Sequence, residues 1–351
     1  MTIGLVPKHS SVGAFTGGLL FTLCFSYSNA TWAAAPDSDA SARQPVPAQA
    51  EIRPMSELKV TATIPIAKQA DWVKVTSTAV WIGSKGPYAV SEIDPQTNQV
   101  TKVELPGDPC AGLAADAENL WVPLCGKTPK LARIDLRKRE LTGVFNVGPA
   151  APEGGIAVGA GSVWMIVDKK GSMARIDPAN GSVVDTVHLK PGSYNPVFSE
   201  GRIWVTRASG AELTIVDATT AKVLGHVPVG RHPRFLTAGG GGVWTLNQAK
   251  GSLSRVDVGG QQPAVTLPLH VPGTGGDITY ADGEVWVTMM KTPLTVVDTS
   301  RTQVLCQWKG AGGDAVGVGH GFIWLTDLRH GTVTRIALND VPKDCRAAAN
   351  K

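Results

Sequence analysis

Residues 155–187 read GIAVGAGSVWMIVDKKGSMARIDPANGSVVDTV. Four runs within it, Gly155–Val158, Ser162–Val167, Met173–Ile176 and Ser182–Val187, are rich in β-branched residues and are separated by Gly, Asp and Lys. That is the pattern of four short strands joined by tight turns. The last turn, Asp177-Pro178-Ala179-Asn180-Gly181, carries Asn-Gly at its tip. The stretch is one copy of a recurring unit. Its Trp164 belongs to a series Trp81, Trp121, Trp164, Trp204, Trp244, Trp286 and Trp324, with gaps of 40, 43, 40, 40, 42 and 38 residues. An aliphatic residue precedes each one: Val80, Leu120, Val163, Ile203, Val243, Val285 and Ile323. Further on, a β-branched residue followed by Asp recurs as Ile93-Asp94, Ile134-Asp135, Ile176-Asp177, Val216-Asp217, Val256-Asp257 and Val297-Asp298. Only the seventh copy, Ile336-Ala337, lacks the Asp. A period of this length built from short strands is the signature of a propeller blade. The sequence therefore predicts an all-β fold, a seven-bladed β-propeller with four-stranded blades.

The repeated residues read as architecture. One Trp per blade at one strand position suits an apolar wedge between neighbouring blades. The repeated Asp suits a turn cap, its carboxylate accepting backbone N–H groups beyond the strand. Ring symmetry holds six such carboxylates too far apart to share a metal. The last unit lacks an outer strand, and a matching segment, Glu57–Pro65, lies ahead of the first unit. The N-terminal strand is thus expected to complete the last blade and close the ring, which removes its open edges. Residues 57–338 form the propeller in this reading, and residues 339–351 a C-terminal tail.

Lys8 and His9 precede an apolar run from Val12 to Phe25, and Ser28-Asn29-Ala30 offers the small residues a signal peptidase reads. Residues 1–30 are expected to be a signal peptide and residues 31–56, rich in Ala, Pro, Ser and Gln, a disordered linker. No other segment suits a membrane span, so the protein is expected to be periplasmic or secreted. Loss of Cys24 with the signal leaves four cysteines in an oxidising compartment. Cys110 and Cys125 lie in loops opening on the same propeller face and are expected to pair. Cys306 would then pair with Cys345 and tie down the tail. The formal charge of +4 falls to about +3 once Lys8 is removed. No concentrated basic stripe is present, which argues against nucleic acid. A monomer is expected.

Ligands of propellers meet the mouth of the central channel, where the loops before each inner strand and after each second strand converge. These loops do not repeat. They carry Asp71, Trp72, Cys110, Tyr194 and a set expected to bind ligand: Glu153, Asn195, Arg231, His232, Arg234, Asp277, Asp314 and Asp327. Arg231, His232 and Arg234 oppose the acidic residues, a separation of charge that suits a zwitterionic or carboxylate-bearing ligand clamped by the arginines. Asp314 and Asp327 belong to one blade and offer a carboxylate pair for a hard cation, Mg²⁺ or Ca²⁺. Met289-Met290 reads as packing beside the mouth.

The Gly-x-(Val/Ile)-Trp signature with its Arg-Ile-Asp strand resembles the streptogramin lyase (virginiamycin B lyase) and YVTN groups of seven-bladed propellers over residues 57–338. The resemblance implies elimination that opens a cyclic depsipeptide lactone, with Mg²⁺, a His ahead of a blade Trp and a Glu after one. The corresponding positions here are Cys110, Glu153, Arg234, Gly275 and Gly313-Asp314, none of them His; His232 is displaced, and Asp327 stands where Glu would follow the last Trp. No Gly-x-Ser-x-Gly elbow, His-Glu-x-x-His pair, Cys-x-x-Cys-His or phosphate-binding glycine loop is present. The sequence therefore favours an exported propeller binding a small molecule, a cell-wall fragment or a protein at its polar mouth. The alternative is a carbon–oxygen lyase or lactonase with a rearranged site.

Overall fold

Neighbouring residues of a strand point to opposite faces, so a blade Trp and the residues beside it must face different blades. A computed structural model of the chain describes residues 50–259, 262–271, 273–290, 292–310 and 312–347. It shows this division all round the ring. Trp164 of blade three packs with Ile203 and Val205, which flank Trp204 of blade four. Trp121 packs with Val163 and Met165, and Trp286 with Ile323 and Leu325. At the seam Trp324 of blade seven packs with Val80 and Ile82 of blade one. The seven blade tryptophans are fully buried.

From the channel outward, blade one comprises Ala70–Val75, Val80–Ser84, Ala89–Ile93 and Val100–Glu104, and the other blades repeat this order of antiparallel strands. The repeated Asp caps its turn as expected. Asp94 accepts the N–H groups of Gln96 and Thr97 (2.8 and 2.9 Å), and Asp135, Asp217 and Asp298 do the same in their blades.

The Arg of the Arg-Ile-Asp strand has a separate task. Arg133, Arg175 and Arg335 stand opposite Trp121, Trp164 and Trp324 in the sheet. Each reaches the capped turn of the next blade: Arg133 donates to the Pro178 carbonyl (2.8 Å), Arg175 to Thr219 (2.9 Å) and Arg335 to Pro95 (3.0 Å). Arg335 spans the seam of the ring. In blade one the pair is reversed, Glu92 standing opposite Trp81 and binding Arg139 of blade two.

Val60–Pro65 pairs antiparallel with Thr332–Ile336 and supplies the fourth strand of blade seven. Two blades depart from four continuous strands. In blade two the inner strand is broken into Asp108–Pro109 and Ala114–Ala115, with the Cys110 disulfide between the pieces. Blade six gains a fifth strand: Ile52–Pro54 pairs in parallel with Gln307–Lys309. This strand falls in the span read from composition as a linker, whose Pro, Ala and Gln content hides three residues able to extend an open sheet edge. The expected signal peptide, and residues 31–49 of the expected linker, lie outside the described residues. Among the described residues no helix is long and apolar enough to cross a membrane. Cys110–Cys125 and Cys306–Cys345 are both joined, with Cα atoms 5.7 and 5.2 Å apart.

Candidate functional site

The mouth has an aromatic floor. Trp72 and Phe235 lie nine residues ahead of their blade tryptophans, in blades one and five, and meet across the axis with ring centroids 6.1 Å apart. The equivalent residues of the other blades are Gly112, Gly155, Asn195, Asp277 and Ala315. The aromatic pair therefore fills an axis that small side chains leave open. Trp72 is the bulged residue between Asp71 and Val73 and has φ of 34°. A left-handed conformation at a bulky residue costs about 1–2 kcal/mol, and burial of the indole, 6% exposed, offsets it. Gly155 is needed for its neighbour: a Cβ there would stand 2.6 Å from Asn195 Oδ1.

Above the floor lies a cavity of about 280 Å³ whose wall brings together Asp71, Glu153, Asp277 and Asp314, from blades one, three, six and seven. Burial pushes the Asp277 carboxyl up to about 7, the charges of Asp71 and Glu153 adding to the effect and the Ile278 N–H opposing it. Asp277 as a residue is half-buried. Asp71 is pushed up to about 6 by burial and by Glu153, against the Trp72 N–H and Lys85. Glu153 is raised by burial and Asp314, with Arg234 and Lys85 pulling the other way. Like charges brought together in a desolvated site behave in this way.

Arg234, expected to clamp a ligand, lines the mouth cavity with a partner on one nitrogen and none on its buried Nε. It donates to the Tyr194 hydroxyl at 2.6 Å and its guanidinium stacks over the Tyr194 ring at 4.6 Å. Tyr194 in turn donates to the Pro152 carbonyl at 2.6 Å. Asn195 donates to the Arg234 carbonyl at 2.8 Å, and its buried Oδ1 has no partner. Glu153 sits at the end of this chain of contacts, its N–H bound to the carbonyl of Cys110 at 2.8 Å. The Cys110–Cys125 disulfide thus anchors the loop that presents Glu153.

Of the expected site residues, Glu153, Arg234, Asp277 and Asp314 share the mouth cavity, and Asn195 lines the channel beside Asp277. Arg231 and His232 are exposed, outside the residues that line it. The expected metal pair turns to separate partners. Asp314 accepts the Leu328 N–H at 2.7 Å, whereas Asp327 accepts the N–H of His330 at 2.9 Å and meets its Nδ1 at 2.7 Å. Burial alone would raise Asp327, but the bonds and charge of His330 hold it below its ordinary value. Among the described residues, one set of three metal-binding side chain types lies within reach of a single ion, Cys306, Asp344 and Cys345, and its cysteines are joined in the disulfide. Asp71, Trp72 and Tyr194, mouth residues outside the expected ligand set, belong to the site, as does Phe235, which is not among the expected mouth residues. Aligning the seven units nine residues ahead of each Trp is the signal that finds Trp72 and Phe235.

No family model matches the chain, and no curated protein matches it. Among solved structures, the crystal structure of BamB from Moraxella catarrhalis is similar, with a TM-score of 0.55 and 14% sequence identity over 80% of this chain and 99% of that one. At this identity the likeness concerns the fold, and it agrees with the propeller.

Proposed function

We propose that the protein is an exported binding propeller that takes a cationic group, carried by a small molecule, a cell-envelope fragment or a protein side chain, into its acidic mouth. The observation that carries this reading is the convergence of Asp71, Glu153, Asp277 and Asp314 from four blades over the Trp72–Phe235 floor. The cavity wall sets the four carboxyl groups against the single guanidinium of Arg234, which leaves the mouth with an excess of negative charge. Binding of an ammonium group relieves the mutual repulsion of the carboxylates and displaces the protons that Asp71 and Asp277 retain near neutral pH. The aromatic floor adds a face on which a cation is favoured. Two disulfides suit the oxidising compartment that export implies.

The test is calorimetric titration of the mature protein with putrescine and, separately, with a lysine-containing tripeptide. Affinity should rise between pH 5 and pH 8 as the carboxyls lose their protons. Asp71→Asn should weaken binding at least tenfold at pH 8, about 1.4 kcal/mol. Equal affinity in the variant, or preference for acetate over amine, would overturn the reading.

One observation favours the alternative. Asp277, raised to about 7, is poised as a general base beside a second carboxyl. A lyase or lactonase of cyclic esters would use it to take a proton from the substrate or from water. Incubation with a cyclic depsipeptide distinguishes the two, because hydrolysis adds the mass of water and elimination leaves the mass unchanged.

A further inference from the structure

Below the aromatic floor the channel continues as a cavity of about 330 Å³. Each blade tryptophan pairs with one inner-strand residue, and those of blades one, four, five, six and seven line the cavity. Six of the seven paired residues are small or uncharged: Ala114, Ala157, Val197, Thr237, Thr279 and Gly317. The seventh, opposite Trp81, is Lys74. Its neighbours Val73 and Val75 press toward blade seven, where Gly317 and Gly319 leave them room. Alternation then turns Lys74 to the other side, where the channel meets the lower face.

Lys74 is half-buried, and desolvation pulls its ammonium below the ordinary lysine value with no charged group acting on it. The single carboxylate in the channel lining is Asp277, at the upper end, its Oδ1 bound to the Ile278 N–H at 2.8 Å. A half-buried cation without a counter-ion carries a desolvation cost, and the position does not require a lysine, since Val197 fills it in blade four. Two hydroxyls line the same cavity. Thr237 Oγ1 accepts the Tyr280 N–H at 3.2 Å, which leaves its own proton to donate, and Thr279 lies in the adjacent blade. Val75, Val197, Leu236 and Val318 add an aliphatic part to the wall, beside Asn195 and Tyr280.

Access comes from the lower face. A crevice of about 920 Å³ between blades one and two shares Lys74 and Val75 with the channel cavity. Most carboxylates bordering it are engaged: Glu92 with Arg139, Asp94 and Asp135 as turn caps, and Asp116 with the indole N–H of Trp121 at 2.9 Å. Glu118 stands exposed.

We propose that the lower channel is a second binding site, separate from the mouth, for a short-chain aliphatic carboxylate with Lys74 as its counter-ion and the Thr237 and Thr279 hydroxyls as donors. Val75, Val197, Leu236 and Val318 receive the chain of the ligand, and the crevice is its route in.

The test uses the mature protein titrated calorimetrically with sodium butyrate and, in a parallel arm, with inorganic phosphate. Saturable butyrate binding in the millimolar range or tighter is expected, with phosphate at least tenfold weaker. Lys74→Met, which keeps the length and apolar bulk of the side chain, should weaken butyrate at least tenfold and leave the melting temperature equal or higher. Thr279→Val gives a second variant in which the cation remains, and a threefold or greater loss is expected. Absence of saturable butyrate binding, or unchanged affinity in Lys74→Met, would overturn the proposal. Phosphate equal to or tighter than butyrate would overturn the carboxylate assignment. Putrescine binding at the mouth is read in the same Lys74→Met protein, so failure of either site is seen separately.

Discussion

Asp277 accepts the N–H of Ile278 and shares the mouth with Asp71 and Glu153, so its proton binding is tied to folding. Its carboxyl rises from an ordinary 3.8 to about 7 in the folded state. Between those values the folded chain holds a proton that the unfolded chain has released. Stability from this group is therefore greatest at the acid end of the window and is lost as pH rises toward 7. Asp71 behaves alike over the narrower window from 3.8 to about 6. Asp277→Asn removes the titration while keeping an oxygen for the Ile278 N–H. The variant should match the parent near pH 4 and exceed it by about 2 kcal/mol at pH 8, allowing for partial solvation of the mouth. Melting curves at both pH values check this, and a gap that fails to widen with pH would count against the crowding of carboxylates at the mouth. Single residues were also where sequence reading was least complete. Glu153, Arg234, Asp277 and Asp314 stood out as charged residues in unrepeated loops. The role of Arg234 did not, because it depends on Tyr194, a residue 40 positions away that only the ring brings beneath it.

The strands show why the repeat was so readable. Trp faces the next blade and its aliphatic neighbours face the previous one, so the same three-residue pattern must recur wherever two blades meet. The Arg beside the repeated Ile-Asp is part of the same logic. Its guanidinium lies near a blade aromatic, 5.4 Å from the Trp164 ring for Arg175 and 4.2 Å from the Phe322 ring for Arg335. From there it latches the turn of the following blade. A second device spans blades through Trp-x-Thr: Thr206 accepts the Asn195 N–H at 3.1 Å and donates to the Arg234 carbonyl at 3.1 Å, and Thr288 links Asp277 to Asp314 in the same manner at 2.8 Å. Both ends of the mouth's wall are thereby held by hydroxyls one layer behind it. Arg335→Met keeps the apolar stem and removes the latch at the seam. It should cost about 1–3 kcal/mol, since a carbonyl loses its charged donor and the ring loses a cation over its face. Chemical denaturation measures the loss, and Arg335→Lys should recover less than half of it because the planar fork is gone. Full recovery by Lys would show that charge alone suffices.

At the scale of the whole molecule, closure rests on Val60–Pro65 in blade seven, and Ile52–Pro54 adds a strand to blade six. The two segments make different contributions. Ile64 of the closing strand is buried in the core that contains Trp324, whereas Ile52 of the added strand is 47% exposed. A chain that begins after Pro54 should lose about 1–2 kcal/mol, the worth of a few exposed edge hydrogen bonds. A chain that begins after Pro65 should fail to fold cooperatively, because blade seven is left with an open edge and Val333 uncovered. Circular dichroism melts of the two truncations are the check, and a cooperative transition in the second would show that the ring does not depend on this closure. The closing strand was legible because it copies the outer-strand pattern of other blades. The added strand was not, since three residues carry no period and their partner lies 255 positions away, as between Ile52 and Gln307.

The placement of that added strand sets how the molecule bears a load. Ile52–Pro54 lies along Gln307–Lys309, Arg53 pairs with Asp344, and Cys306 in the same outer strand is bonded to Cys345. Tension applied between the two ends of the described chain passes through the outer edge of blade six and one covalent bond, bypassing the other six blades. Both loads enter at the Ile52–Gln307 end of the pairing, so the added strand peels from that end before the ring is strained. A propeller tethered at either end would hold its mouth undistorted while the tether is pulled.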